Sequence, residues 1–176
     1  MKRLVMLALV LAVTGCNRST DAATNDAPAG MADPIPFTDA QKAAIQATFP
    51  APYNTADLAA GEKQFGKCRS CHMLAPGAMD MTGPNLYGVF GRKSGTKPGY
   101  AYSDAMTAHN TVWDFDSLNT YLASPQTVVK GTKMGFMGIQ GDTDRRNLIA
   151  YLKLENSPLP AAESASDEAS DSASSH

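Results

Sequence analysis

The chain has 176 residues, 43% of them hydrophobic, and a formal net charge of −2. Its length allows one ordinary domain plus flanking segments. The near-neutral charge argues against a nucleic-acid partner, which would call for a basic face. Three cysteines occur, Cys16, Cys68 and Cys71. That is not the even, widely spaced set of disulfides that staples many exported domains.

In chain order, residues 1–15 come first. Met1-Lys2-Arg3 and the apolar run from Leu4 to Val13 have the shape of a secretory signal. That run is far short of the roughly 20 residues a membrane-spanning helix needs. Next, Val13-Thr14-Gly15-Cys16 resembles a bacterial lipobox. The resemblance implies cleavage before Cys16 and acylation of its thiol, which would anchor an exported protein on the periplasmic side of a bacterial membrane; the alternative is an ordinary signal with an incidental cysteine and a soluble periplasmic protein.

Residues 16–54 are rich in Ala, Pro, Thr and Asp and read as a linker, with 17–34 a flexible spacer. Within it, Thr38-Asp39-Ala40-Gln41 has the form of a capping box ahead of Ala43, Ala44, Ile45 and Ala47. A short helix is possible there, ended by Pro50 and Pro52. Residues 55–156 read as the folded domain, and the pattern is all-α, with no period-two alternation. A helix is predicted from near Asp57 to Lys67, with Leu58, Gly61 and Phe65 on one side. A short one follows at Ser103, and another runs from Asp116 through Leu118, Tyr121 and Leu122 until Pro125. The last is capped by Asp142 or Thr143 and carries the stripe Leu148, Ile149, Tyr151 and Leu152. Residues 82–99, rich in Gly and Pro, are too long for a structureless loop in a compact domain unless a prosthetic group organises them. Residues 157–176 are mostly Ser, Ala, Asp and Glu and read as a disordered acidic tail.

Chemistry concentrates at Cys68-Arg69-Ser70-Cys71-His72. C-x-x-C-H is the attachment signature of c-type haem. Two thiols three apart reach the two vinyl groups on one porphyrin edge, and the following imidazole then meets one face of the iron. A zinc site would need further paired ligands, and only His109 and His176 remain. A thioredoxin-like dithiol would need a βαβ setting and no histidine. A second iron ligand decides between carrier and catalyst, because it closes the site to substrate. Nine methionines compete. Met73, Met79 and Met81 follow His72 too closely to reach the other face, whereas spacing leaves Met106, Met134 and Met137 open. His109, among polar residues, reads as a solvated side chain.

Longer stretches resemble mitochondrial-type class I cytochromes c. They are the loop from Thr82-Gly83-Pro84-Asn85-Leu86 to Lys93, then Pro98 to Ala105, Trp113, the turn Lys130-Gly131-Thr132-Lys133-Met134, and the final helix from Asn147 to Lys153. The resemblance spans Thr55 to Asn156 in order. It implies the class I fold: three to five helices wrapped around one covalent haem c per chain, with His72 and Met134 as its axial ligands. It further implies that the Pro84 carbonyl accepts the His72 N–H, and that Tyr102, Trp113 and Arg92 hydrogen-bond or neutralise a buried propionate. Tyr121 would lie near the Met134 sulfur, and Gly61 would let the first helix of the domain cross the last against Tyr151. The chain departs from the family at Lys130, often a proline, and at Met106, where an asparagine is usual. Its lysine ring is also thinned: Lys67, Lys130 and Lys133 remain, while Gln126, Thr127, Gln140 and Gly141 take lysine positions.

The function so implied is a one-electron carrier and not an enzyme, with redox proteins as partners. A quinol-oxidising complex would be the donor and a terminal oxidase or another haem protein the acceptor; the carrier would be a monomer. The rivals are a haem c subunit of a larger oxidoreductase and a haem peroxidase. The Gly131-Thr132-Lys133-Met134 turn weighs against the peroxidase.

Overall fold

The computed structural model describes residues 37–158. The signal, Cys16, the spacer and nearly all of the acidic tail lie outside the described residues. Among the described residues there are six α-helices and one 3-10 turn, with no strand beyond an isolated bridge between Lys93 and Val112. The all-α expectation holds. No helix among the described residues is long and apolar enough to cross a membrane.

The helices begin where side chains can satisfy the free N–H groups of the first turn. Helix α1 (Asp39–Ala47) opens with a full capping box between Thr38 and Gln41, at 3.2 and 2.9 Å. Helix α2 (Leu58–Phe65) is capped by Asp57, whose carboxylate accepts the Ala60 N–H at 2.9 Å. Ser103 caps α3 (Asp104–Ala108), and Asp114 with Ser117 forms a second capping box on α4 (Phe115–Ala123). Pro125 does more than stop α4. It occupies the first turn of a one-turn helix, α5 (Pro125–Val128), where its missing N–H costs nothing.

The long helix α6 (Asp142–Glu155) differs from expectation at its start. Its cap is Gly141, with no side-chain hydrogen bond. Asp142 sits inside the first turn instead, where its carboxylate pairs with Arg145 and meets the positive end of the helix dipole.

The core gathers on α6. Leu148, Ile149 and Ala150 are wholly buried, joined by Phe65, Leu118, Tyr121, Leu122 and Leu154. Helix α2 crosses α6 at Gly61, where a Cβ would come within 2.1 Å of the Asn147 carbonyl oxygen and 2.8 Å of the Tyr151 Cβ. Only glycine permits that approach, as the resemblance implied. Asn147 also accepts the Asp57 N–H through its side chain at 3.1 Å, which ties the start of α2 to α6.

The reading of residues 16–54 as linker needs correction at its C-terminal end. Phe49 and Tyr53 are buried in the same core as α6, and Phe37 and Ile45 pack against it. The Tyr53 ring lies 4.5 Å from that of Phe115 and its hydroxyl donates to the Phe115 carbonyl at 3.3 Å, while Gln46 donates to the carbonyls of Tyr53 and Ala56. Composition pointed to a linker because Ala and Pro dominate by number, yet two aromatic side chains suffice to dock the segment.

Candidate functional site

Beyond Phe65 the chain keeps turning. The N–H groups of Cys71 and His72 both donate to the Cys68 carbonyl, at 3.0 and 2.9 Å, so C-x-x-C-H forms one helical turn continuing α2. Cys68 and Cys71 are half-buried free thiols, spaced to lie on one side of that turn. Burial pushes the Cys68 thiol up to about 11. A thiol held neutral in this way is a poor redox nucleophile, which weighs against a dithiol oxidoreductase.

His72 is oriented by its neighbours. Its Nδ1 lies 2.7 Å from the Pro84 carbonyl oxygen. A carbonyl can only accept, so Nδ1 carries the proton and Nε2 keeps its lone pair. Burial also holds the imidazole below its ordinary value, against the pull of the Pro84 carbonyl, and the neutral form is the one that binds a metal. Gly83 lies flat against the ring, and a Cβ there would meet His72 Cε1 at 2.3 Å. The space beside the imidazole is therefore filled by backbone.

The Pro84 segment is held by Asn85, which sequence reasoning passed over, and by Arg92, which the resemblance assigned to a propionate. Asn85 is buried, and its amide donates to the carbonyls of Ala75 and Ala78, both at 2.8 Å, while its oxygen accepts the Tyr87 N–H. Arg92 donates to the carbonyls of Tyr87 and Asn85 at 3.2 and 3.4 Å. In this structure its guanidinium braces the loop through these two contacts. The sequence signal was the polar Asn85 inside an apolar stretch, Pro84 to Leu86.

The second expected ligand is Met134. The Tyr121 hydroxyl points at the Met134 sulfur from 3.6 Å and lies 3.4 Å from Thr132 Oγ1. The Tyr121 ring packs tilted against the buried Trp113 ring, with centroids 5.1 Å apart. Of the three methionines that spacing left open, Met137 is 84% exposed and Met106 is buried in the core, whereas Met134 packs against the core with its sulfur in a hydrogen bond. Met73, Met79 and Met81 are exposed. His109 differs from its reading as a solvated side chain: it is half-buried, with its ring 5.9 Å from that of Trp113. Tyr102 is half-buried against the core and meets the Tyr100 ring edge-on at 4.8 Å.

The loop that carries Met134 is latched at both ends. Gln126 donates to the Met134 carbonyl, and Lys133 donates to that of Ala101 at 2.9 Å. Further on, the Ile139 N–H donates to the Leu122 carbonyl at 2.8 Å. The buried Arg145 guanidinium gathers the carbonyls of Ile139 and Gln140 at 2.7 and 2.9 Å, and Asn119 Oδ1 at 3.0 Å. Arg145 was invisible in sequence because its partners come from another loop and another helix.

The donor set is thus two free thiols, a neutral imidazole with its lone pair available and a hydrogen-bonded thioether. It fits an iron porphyrin bound covalently at one edge.

Comparison with known proteins agrees. The cytochrome c family model matches residues 58–154. The chain is 46% identical over 96 residues to cytochrome c2 of Rhodoblastus acidophilus, covering 54% of this chain and 90% of that relative. It is 48% identical over 98 residues to cytochrome c of Euglena viridis, covering 55% and 95%. With cytochrome c-550 of Bradyrhizobium diazoefficiens it shares 43% over 94 residues, covering 53% and 69%. The chain belongs to the cytochrome c family, electron carriers and not enzymes, whose cofactor is covalently bound haem c.

Proposed function

We propose that this protein is a single-electron carrier whose haem c is attached through Cys68 and Cys71, with His72 and Met134 as the two axial ligands. One observation carries the ligand choice: the Met134 sulfur receives the Tyr121 hydroxyl at 3.6 Å. When bound, the haem supplies a one-electron ferric–ferrous couple. The chain's own residues do the rest. Pro84 fixes the imidazole through Nδ1, and Gly83 packs the backbone on its face. Tyr121 withdraws electron density from the thioether by donating to it, which favours the ferrous state. Trp113, Tyr102 and Arg92 are the residues we assign to the propionates. Two strong ligands leave no position for a substrate, which fits a carrier and not a peroxidase.

Residues 1–15 are proposed as a signal removed on export, with Cys16 acylated. The carrier then works on the periplasmic side of a bacterial membrane as a monomer tethered to it, in a respiratory or other periplasmic chain between a quinol-oxidising complex and a terminal oxidase or other haem protein. We place its haem domain at residues 55–156, with the segment that carries Phe49 and Tyr53 docked on the same core, and the acidic tail at 157–176.

Spectra of the purified protein in both redox states test the ligation. The wild-type ferrous protein should not bind carbon monoxide. Met134→Ala should bind it and have a lower potential, whereas Met137→Ala should leave both unchanged. If Met137→Ala alters them and Met134→Ala does not, the sulfur has been misassigned. Intact mass of wild type and Cys16→Ser, with membrane fractionation, tests the anchor; a wild type that is unmodified and wholly soluble would defeat it.

A further inference from the structure

We infer that Asp80 and Lys97 are positioning residues for His72: their ion pair fixes the segment whose Pro84 carbonyl receives the imidazole N–H. The inference rests on the reading of His72 as an iron ligand.

Asp80 lies four residues before Pro84 and faces two ways. Its Oδ1 accepts the Asn85 N–H at 2.7 Å, and its carboxylate pairs with the Lys97 ammonium at 2.8 Å. Both side chains are only 21% exposed, so water screens the pair less than it does a surface contact. Arg69–Glu62 offers the contrast, with side chains 56% and 58% exposed. Asp80 therefore joins two loops, the one that carries Pro84 and the one that carries Lys97, Tyr100 and Tyr102. A second stitch runs alongside it, from the Tyr100 hydroxyl to the Thr82 carbonyl at 2.6 Å.

The consequence reaches His72 through Asn85, the residue after Pro84. Asn85 N–H goes to Asp80, its amide goes to Ala75 and Ala78, and its own carbonyl accepts from Arg92. Pro84 has no N–H of its own and cannot be held from that side. Its carbonyl is aimed by what grips its neighbours, and the closest ion pair among those grips is Asp80 with Lys97. The Asp80 carboxylate touches Lys97 and the Asn85 N–H, and the other charged or titratable groups near enough to interact with its charge are Arg92, Tyr100 and Tyr102. A firmly aimed carbonyl strengthens the Nδ1–H···O bond, which makes the imidazole a better donor and favours ferric iron. Loosening the aim should raise the potential.

The test uses full-length holoprotein as wild type, Asp80→Ala and Lys97→Met. Two quantities are measured: the reduction potential and the paramagnetically shifted His72 ring resonances. If the pair acts by aiming Pro84, both variants raise the potential and both displace the His72 resonances. Asp80→Asn, which keeps an acceptor for the Asn85 N–H, gives a smaller displacement than Asp80→Ala. If the pair acts only as charges near the iron, deleting the anion raises the potential and deleting the cation lowers it, and added salt shrinks both shifts. Opposite shifts, or His72 resonances unmoved in both variants, overturn the inference and leave His72 ligation standing. A wild type with no shifted histidine resonances overturns both. Should Asp80→Ala fail to hold haem, Lys97→Met decides, because the Asp80–Asn85 bond survives in it.

Discussion

The two sides of the haem site are built differently. The His72 side is mostly local: Asp80 to Asn85 and His72 to Pro84 join residues five and twelve apart, and its longest stitches, Asp80 to Lys97 and Thr82 to Tyr100, span seventeen and eighteen. The Met134 side draws on the whole fold, with Lys133 reaching Ala101 from 32 residues away, Tyr121 of α4 reaching Met134, and Arg145 of α6 tying the Ile139 carbonyl to Asn119 of α4. A locally closed unit keeps its geometry while distant packing loosens. A loop pinned from three elements lets go when any one of them shifts. On the proposed ligation, the histidine should therefore be the permanent ligand and the methionine the one lost first.

Two glycines break this comparison with the largest expected effects. Gly83→Ala drives a Cβ to within 2.3 Å of His72 Cε1, and Gly138→Ala drives one to within 2.2 Å of the Ala123 carbonyl oxygen from a backbone at φ +93°. Overpacking of this kind costs about 1–3 kcal/mol or more. The place where the cost appears should differ. Gly83→Ala should lower holoprotein yield and the denaturation midpoint, because it displaces the histidine itself. Gly138→Ala should remove the methionine–iron absorption signature while histidine ligation and secondary structure persist. If both variants lose the same ligand, the two sides are not independent.

The same difference explains what could be read from the sequence. Cys68-Arg69-Ser70-Cys71-His72 was legible because its chemistry lies within five consecutive residues. Helix starts at Thr38, Asp57 and Ser103 were legible because an N-cap acts over three residues. Spacing left Met134 tied with Met106 and Met137, and only the family resemblance separated them, since a ligand loop fixed by Lys133, Gln126 and Arg145 has no local signature. The α6 cap was misplaced for a related reason: Asp142 can cap a helix or pair with a base one turn on, and Arg145 decides which. Docking of Phe49 and Tyr53 was hidden because their partner, Phe115, lies some sixty residues away.

Tyr121→Phe sharpens the comparison on the methionine side. It removes one hydroxyl without opening a cavity, so a net loss of about 1 kcal/mol or less is expected. The thioether becomes a better electron donor to ferric iron, so the potential should fall while the methionine signature persists. Voltammetry with an optical spectrum checks both. A potential that does not move would mean that the 3.6 Å contact has no bearing on the iron.

On the histidine side, acid should act through Asp80. The Lys97 ammonium, and next the Asn85 N–H, hold its carboxyl below the usual carboxylate range. Folding thus favours the charged form, so the stabilisation is complete above the ordinary carboxylate value, about pH 4. It is lost as pH falls through the depressed native value. Wild type should be more stable than Asp80→Asn at neutral pH, and the two denaturation midpoints should converge as pH drops below about 4. A gap that persists at the acid end would assign the difference to shape and not to charge.

The smallest effect concerns two lysines that precede residues of the proposed haem site. Lys67 precedes Cys68 and donates to Gln64 at 2.6 Å, and Lys133 precedes Met134 and donates to Ala101 at 2.9 Å. Residues 55–156 carry 11 Lys and Arg against nine Asp and Glu, so the domain lacks the strong positive field that speeds a freely diffusing carrier. Under the proposed tether, confinement near the membrane replaces that field as the source of encounter rate. These lysines then orient the partner and do little to attract it. Electron transfer from solubilised protein should weaken only mildly as ionic strength rises. Lys133→Glu should slow it by roughly two- to fivefold through the association rate, as rim charges do. Lys153→Glu should slow it less, because Lys153 lies on α6 with its ammonium 5.0 Å from the centre of the Phe90 ring. Stopped-flow mixing over a salt series separates the outcomes. A steep salt slope would show that attraction dominates, and equal slowing by both reversals would place the docking face away from the Met134 loop.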